Sequence, residues 1–410
     1  MFASGRHHGG TVVKEGGLYA AFQASELIPH AAPLLTMCGD PRDVILGPFM
    51  SVTRRERALA IAADRPLVSG DLATVTWLTG LTTDIEYGPS PFTVPPLVII
   101  DPDGSLLAIT SEDEAPGVAN GVEARTFPGF AVEDVDRAAT ATELAIEAVG
   151  SAGALSVDLT SLPGKLAAEL ISRGVELVDV GPGLRAARAV KDPDEVEAIR
   201  ASMRIADVGQ AAARAALAAG RTELEIWAAT RSAMEDEAGG RLPLLADLVT
   251  GERTAEVGGL PGERKIAEND LLLVDLVPRL GAYWADSCAT VAVGQPPDEV
   301  QRAHRVARNA LERSLELLRP GTLAGDVDSA AREAVERADG SYPHHTGHGL
   351  GTGFHEAPRI VPGNERVLEP GMVVALEPGI YAESWGLRVE QVALVTEDEP
   401  EILSRHDLEL

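Results

Sequence analysis

Cysteine is almost missing from this chain of 410 residues, which has only Cys38 and Cys288. Two thiols cannot build a disulfide framework or a thiolate zinc site, so reducing surroundings suit the protein. Lysine is scarce too, confined to Lys14, Lys165, Lys191 and Lys265, and 35 basic against 63 acidic residues leave a net charge of −28. No basic stripe can follow a phosphate backbone, which makes nucleic acid and anionic membrane poor partners. Long apolar runs are missing too: Leu97 to Ile100 and Leu271 to Val274 fall far short of the ~20 residues of a membrane span. The opening MFASGRHHGG has no apolar stretch behind its Arg and no small-residue cleavage site, so the expected location is cytoplasmic. Aromatics make up only 4%, yet 45% hydrophobic and 24% charged residues describe a globular chain. Its length suits two domains of ~100–200 residues each.

Residues 1–49 carry Gly, Pro and His without periodicity and read as an N-terminal extension, with Met50 a candidate start. Over 50–185 short apolar runs (PLVSG, TVTWLTG, PLVIID, SLLAIT, ALSVDL, VELVDV) alternate with helical stretches at 132–149 and 163–173, which predicts a small α/β domain. Gly181-Pro182-Gly183 is expected to break the pattern. Asp192-Pro193-Asp194-Glu195 then supplies an N-cap, a first-turn proline and a capping-box Glu, and Thr222 to Glu225 repeats the box for a second helix. We place the domain boundary near 185. The second domain, 186–410, mixes helices near 298–318 and 325–337 with antiparallel strands at 271–277, 282–293, 372–377 and 387–396.

Two of its strand pairs carry misplaced charge. Asp275 lies inside LLLVDLV and Asp286 inside AYWADSCATVAV, where a buried strand does not normally tolerate an acid. A turn at PRLG, symmetric about 280 and 281, sets the two directly opposite, ~4.5–5.5 Å apart at Cβ. Glu377 in VVALEPG and Glu390 in LRVEQVAL fall opposite in the same way about a turn at Glu383 and Ser384. Like charges so placed demand cations. His348 lies in the glycine-rich HHTGHGLGTGFHEAP, whose backbone can bring an imidazole close. Four carboxylates and one neutral His balance two divalent ions, a device for hydrolysis that activates water and polarises a carbonyl. Oxygen-rich ligation favours manganese-like hard ions, with cobalt, iron or zinc open.

In order, Asp275, Asp286 after it, GHGLG with its HE, LEPGIY and RVEQ resemble the metallopeptidases of the aminopeptidase P, prolidase, methionine aminopeptidase and creatinase family. The resemblance extends over roughly 50–405 through WLTG at 77–80 and the Lys191-Asp-Pro-Asp-Glu linker. It implies a creatinase-type N-terminal α/β domain followed by a pita-bread α+β metallohydrolase domain. By position it implies Asp275, Asp286, His348, Glu377 and Glu390 as metal ligands. Glu377 would also handle the proton of the attacking water, His355 would contact the scissile carbonyl or its tetrahedral intermediate, and Arg388 would support the acids from behind. A homodimer acting on a small peptide or small-molecule amide is what such relatives suggest.

The chain also departs from the family. The histidine usual in a segment similar to SGxxTAxPHxxPSxR is Gly258 here, and Cys288 and Ala289 replace a threonine and an arginine. Creatinase chemistry is disfavoured by the missing imidazole and the full ligand set. His344 and His345 remain open between structural and functional roles. His344 with His348 does not make a helical zinc motif, since Pro343 and the glycines oppose a helix and no HExxH glutamate is present. GHGLGTG lacks the Lys-Ser/Thr ending of a phosphate loop. The expected activity is hydrolysis of an amide C–N bond by an Xaa-Pro aminopeptidase or dipeptidase-like enzyme. A specialised non-peptide C–N hydrolase and a catalytically silent binding scaffold are the alternatives.

Overall fold

The computed structural model describes residues 52–83, 94–130, 135–338 and 340–410. The expected extension at 1–49, the start at Met50 and Cys38 lie outside the described residues. A six-stranded sheet comes first. Its order is Glu123–Phe127, Leu106–Ser111, Leu97–Ile100, Leu67–Ser69, Ala154–Val157, Glu176–Asp179, with mixed parallel and antiparallel pairing. Both faces are covered, which is why its strands read as unbroken apolar runs. Val68, Ile99 and Leu155 face the helices Arg137–Val149 and Gly164–Ser172, while Leu67, Val98 and Ile100 face Val52–Ala62, Leu72–Thr79 and Gly181–Arg188.

Two local expectations fail here. TVTWLTG, expected among the strand-like runs, is the body of the helix Leu72–Thr79. Asp71 caps it by accepting from the Thr74 N–H, and Gly80 closes it in the left-handed conformation at φ 71°. Burial of Thr74 through Thr79 erases the amphipathic period that would have marked it. The Gly181-Pro182-Gly183 break is instead the first turn of the helix Gly181–Arg188, where Pro182 needs no N–H partner.

Both expected capping boxes form, at Asp192/Glu195 for Pro193–Ala216 and at Thr222/Glu225 for Glu223–Ala238. This helix pair packs beside an antiparallel sheet ordered Ser287–Ala292, Leu271–Leu280, Leu244–Thr250. A second pair, Asp298–Glu316 and Ala324–Glu336, accompanies a sheet ordered Glu356–Ile360, Gly347–Gly349, Val373–Leu376, Gln391–Leu394, Glu401–Ile402. Each half thus repeats one plan, and the acids lie on the facing sheets.

Candidate metal centre and substrate cleft

Register decides what the acids can do. In the first hairpin Asp275 pairs with Cys288 and Leu276 with Ser287, while Arg279 pairs with Trp284. The turn is therefore centred on Gly281 and Ala282, not on 280 and 281, and the expected direct Asp275–Asp286 pairing is replaced by a diagonal one. Gly281, at φ 61°, takes the left-handed position such a turn needs. The offset is two residues, so side-chain direction is preserved and both acids still share one face. In the second hairpin Val373 pairs with Leu394 and Leu376 with Gln391, and beyond the acids Gly379 pairs with Arg388. That register leaves Glu377 and Glu390 at matching positions, as expected.

Oxygens of Asp275, Asp286 and Glu390 converge within 4.8 Å of one another. Burial, then repulsion from neighbouring acids, pushes Asp286 and Glu390 well above the usual carboxylate range. Burial also raises Asp275, against the opposing charge of Arg388. Asp275 Oδ1 and Glu390 Oε1 are buried with no hydrogen-bond partner, the signature of acceptors waiting for a cation.

His348, on Gly347–Gly349, completes the pattern. Its Nδ1 lies 3.0 Å from the Gly349 carbonyl, which can only accept, so Nδ1 carries the hydrogen. The bare Nε2 then points between Asp286 Oδ2 and Glu377 Oε1, 3.5 Å from each. Three lone-pair donors facing one another repel unless a cation lies among them, and a backbone-anchored imidazole is how metal-binding histidines are oriented. The donor set fits divalent metal.

Glu377 is restrained from two sides. His345 Nε2 donates to its Oε1 at 2.9 Å, and Arg388 Nε lies 3.7 Å from Oε2. Burial would raise this carboxyl, but the His345 hydrogen bond and the Arg388 charge hold it down at about 2. His345 accepts in turn at Nδ1 from Arg359, 3.2 Å away, which places the open case of His345 in the site. His344 also lines the cleft and bonds to Tyr381 Oη at 3.1 Å.

Arg388 is clamped. Its Nη2 donates to Asp275 Oδ2, Nη1 to Val257 O at 3.0 Å and Tyr381 Oη at 3.2 Å, and Nε to Cys288 Sγ at 3.3 Å. Cys288 is thereby a buried hydrogen-bond acceptor, and burial pushes its thiol well above the ordinary range. Thr290, on the same strand face, receives the Arg388 N–H at 2.9 Å and donates to the Arg388 carbonyl at 3.0 Å.

His355 stacks 3.9 Å from His348 between ring centroids and borders a cleft of about 650 Å³ that also reaches Asp275, Asp286 and Glu377. Desolvation in the cleft wall, then the neighbouring His348 and His345, lowers it to about 4, so it is neutral at pH 7. Its loop is tied to the first sheet's layer: Thr352 Oγ1 donates to Ala73 O at 2.9 Å. Arg188 bridges Asp71 and Glu356 at 2.9 and 3.2 Å.

Residues 197–397 match metallopeptidase family M24. The chain belongs to that family. "Probable dipeptidase PepE" of Mycobacterium tuberculosis is 35% identical over 219 residues, which are 52% of this chain and 58% of that protein. "Xaa-Pro dipeptidase" of Pyrococcus furiosus is 33% identical over 226 residues, 54% of this chain and 65% of that one. These matches thus span less than two thirds of either relative. The solved dipeptidase PepE from Mycobacterium ulcerans superimposes with a TM-score of 0.73 at 27% identity, covering 89% of this chain and 99% of that one. The M24 chain has the pita-bread fold behind an N-terminal α/β domain. No helix among the described residues is long and apolar enough to cross a membrane.

One acid in the M24 cleft escaped the sequence reading. Asp247, on Leu244–Thr250, is the direct cross-strand partner of Asp275 and lines the cleft. The signal was available: LLADLVT places a charge in a strand just as LLLVDLV does.

Proposed function

We propose that this protein is a dinuclear metal-dependent hydrolase of the Xaa-Pro dipeptidase or aminopeptidase type. The observation that carries the reading is the bare Nε2 of His348 held between Asp286 and Glu377, beside the unpartnered oxygens of Asp275 and Glu390. Asp275, Asp286, His348, Glu377 and Glu390 would hold two divalent ions, manganese by the hardness of the oxygen donors. When bound, such ions polarise a carbonyl and acidify water.

The chain's own groups supply the rest. Glu377, ionised at neutral pH, is placed to take a proton from attacking water and pass it to the leaving nitrogen. His345 fixes which oxygen of Glu377 is free to do so. Neutral His355 can donate a hydrogen bond to the carbonyl oxygen as charge grows there. Arg388 fixes the orientation of Asp275 and Glu377. The apolar side of the cleft, with Leu224, Trp227, Val257 and Leu260, suits a small substrate carrying an apolar ring or chain. The relatives' names support a dipeptide as that substrate, and we extend the reading to a cytoplasmic homodimer.

The test is product release from Xaa-Pro and non-proline dipeptides by manganese-loaded protein of measured metal content. Turnover is expected; two ions bound with no peptide cleaved would overturn the peptidase reading. A non-peptide amide is the second reading, favoured by Gly258, Cys288 and Ala289 at positions where the family resemblance implies other residues.

A further inference from the structure

Gly258 leaves no vacancy. A Cβ built on it would lie 2.1 Å from Asp247 Oδ2 and 2.6 Å from its Cγ, so the carboxylate of Asp247 fills the space that a side chain at 258 would enter. Where the resemblance implies an imidazole, this chain places a carboxylate from the strand Leu244–Thr250.

That acid is poorly matched to its surroundings. Asp247 is half-buried, and cross-strand pairing sets it against Asp275, whose own carboxyl it raises further. Among the described residues no donor or cation reaches it, whereas Asp275 has Arg388. It is not among the acids whose oxygens converge within 4.8 Å, which are Asp275, Asp286 and Glu390. The cleft it borders also has apolar lining, from Leu244, Val257, Leu260 and Trp227. Its carboxylate borders the cleft, so a ligand that carries a donor can pair with it there.

We infer that Asp247 is a specificity-determining residue that selects substrates carrying a protonated amine. This rests on the amide-hydrolase reading of the same cleft. The amine belongs either to the substrate's free amino terminus or to a cationic side chain. In both cases a charge-assisted hydrogen bond to Asp247 rewards the cation, and a neutral analogue leaves the acid unpaired.

The experiment uses the full-length, metal-loaded protein and Asp247→Asn, with Asp247→Ser as a second variant should the first not fold. Kinetics are compared for Ala-Pro, N-acetyl-Ala-Pro and N-acetyl-Lys-Pro. We expect the wild type to prefer a cationic substrate by roughly tenfold or more in kcat/KM, in line with one charged hydrogen bond, mostly through KM. In the variant that preference should fall to near unity. Preference for Ala-Pro assigns the amine to the amino terminus, and preference for N-acetyl-Lys-Pro assigns it to a side chain. An undiminished preference in the variant overturns the inference, as does a wild type indifferent to charge. Calorimetric binding of alanine hydroxamate against N-acetylalanine hydroxamate decides the matter without turnover. If no substrate is cleaved while the variant loses affinity for the free amine alone, the peptidase reading fails and Asp247 stands.

Discussion

Lys191 Nζ and Glu356 Oε2 lie 3.3 Å apart with both side chains sealed from solvent. Glu356 also accepts from Gly353 N at 2.8 Å, so the pair fixes the loop that presents His355. Lys191→Met leaves Glu356 with Arg188 as its remaining cation. Breaking a buried pair costs ~3–5 kcal/mol, and Arg188 should hold the loss toward the lower end. Thermal unfolding should show a clearly lowered midpoint. Burial raises Glu356, but Lys191 and Arg188 bring it below its ordinary value of 4.5. Its stabilisation is therefore complete above the unfolded value and lost as pH falls through the folded one. The variant's deficit should shrink in that acidic window, and a deficit independent of pH would contradict this account.

Stripping the metal should expose the opposite slope. Asp286 and Glu390, raised by burial and by the acids around them, bind protons in the folded state before they do in the unfolded one. Protein treated with a chelator should therefore gain stability as pH is lowered from 8 toward 5, while metal-loaded protein should not. Glu390→Gln should raise the melting point of stripped protein and abolish metal retention. A stripped variant less stable than the stripped wild type would count against a site strained by its own acids.

His345→Ala should lower kcat by ~10–100-fold with a smaller change in KM, since outer partners of a ligating carboxylate commonly matter that much. Steady-state kinetics at saturating metal separates this from simple metal loss. An unchanged kcat would remove His345 from the site.

Arg388→Lys keeps the charge but cannot reach Asp275, Val257, Tyr381 and Cys288 together. Metal affinity, read by titration with a competing chelator, should weaken by ~10–100-fold. Wild-type affinity in this variant would show that Asp275 is oriented without the fork.

The acids were legible because charge inside an apolar strand is conspicuous, and both capping boxes were legible because their chemistry is local. The Glu377–Glu390 register followed from symmetric spacing about its turn. The Asp275–Asp286 register did not, because the turn formed one position later, at Gly281, than the spacing about PRLG implied. The helix around Trp77 was hidden because every side of it is buried, leaving no period to read. Asp247 obeyed the rule that revealed Asp275 and was missed because its strand, Leu244–Thr250, was not among the expected strands. His345 could not be assigned from neighbours in sequence, since its partners, Glu377 and Arg359, lie far along the chain.

The two-residue offset in the first hairpin carries a further consequence for how this chain can vary. Side chains on a strand alternate, so lengthening the Gly281–Ala282 turn by one residue would send Asp286 to the opposite face, while lengthening it by two would return it. Insertions at this turn should therefore be tolerated by parity. A single inserted glycine should erase metal retention as completely as loss of the acid itself, and a pair should restore part of it, which metal analysis of the two variants would reveal.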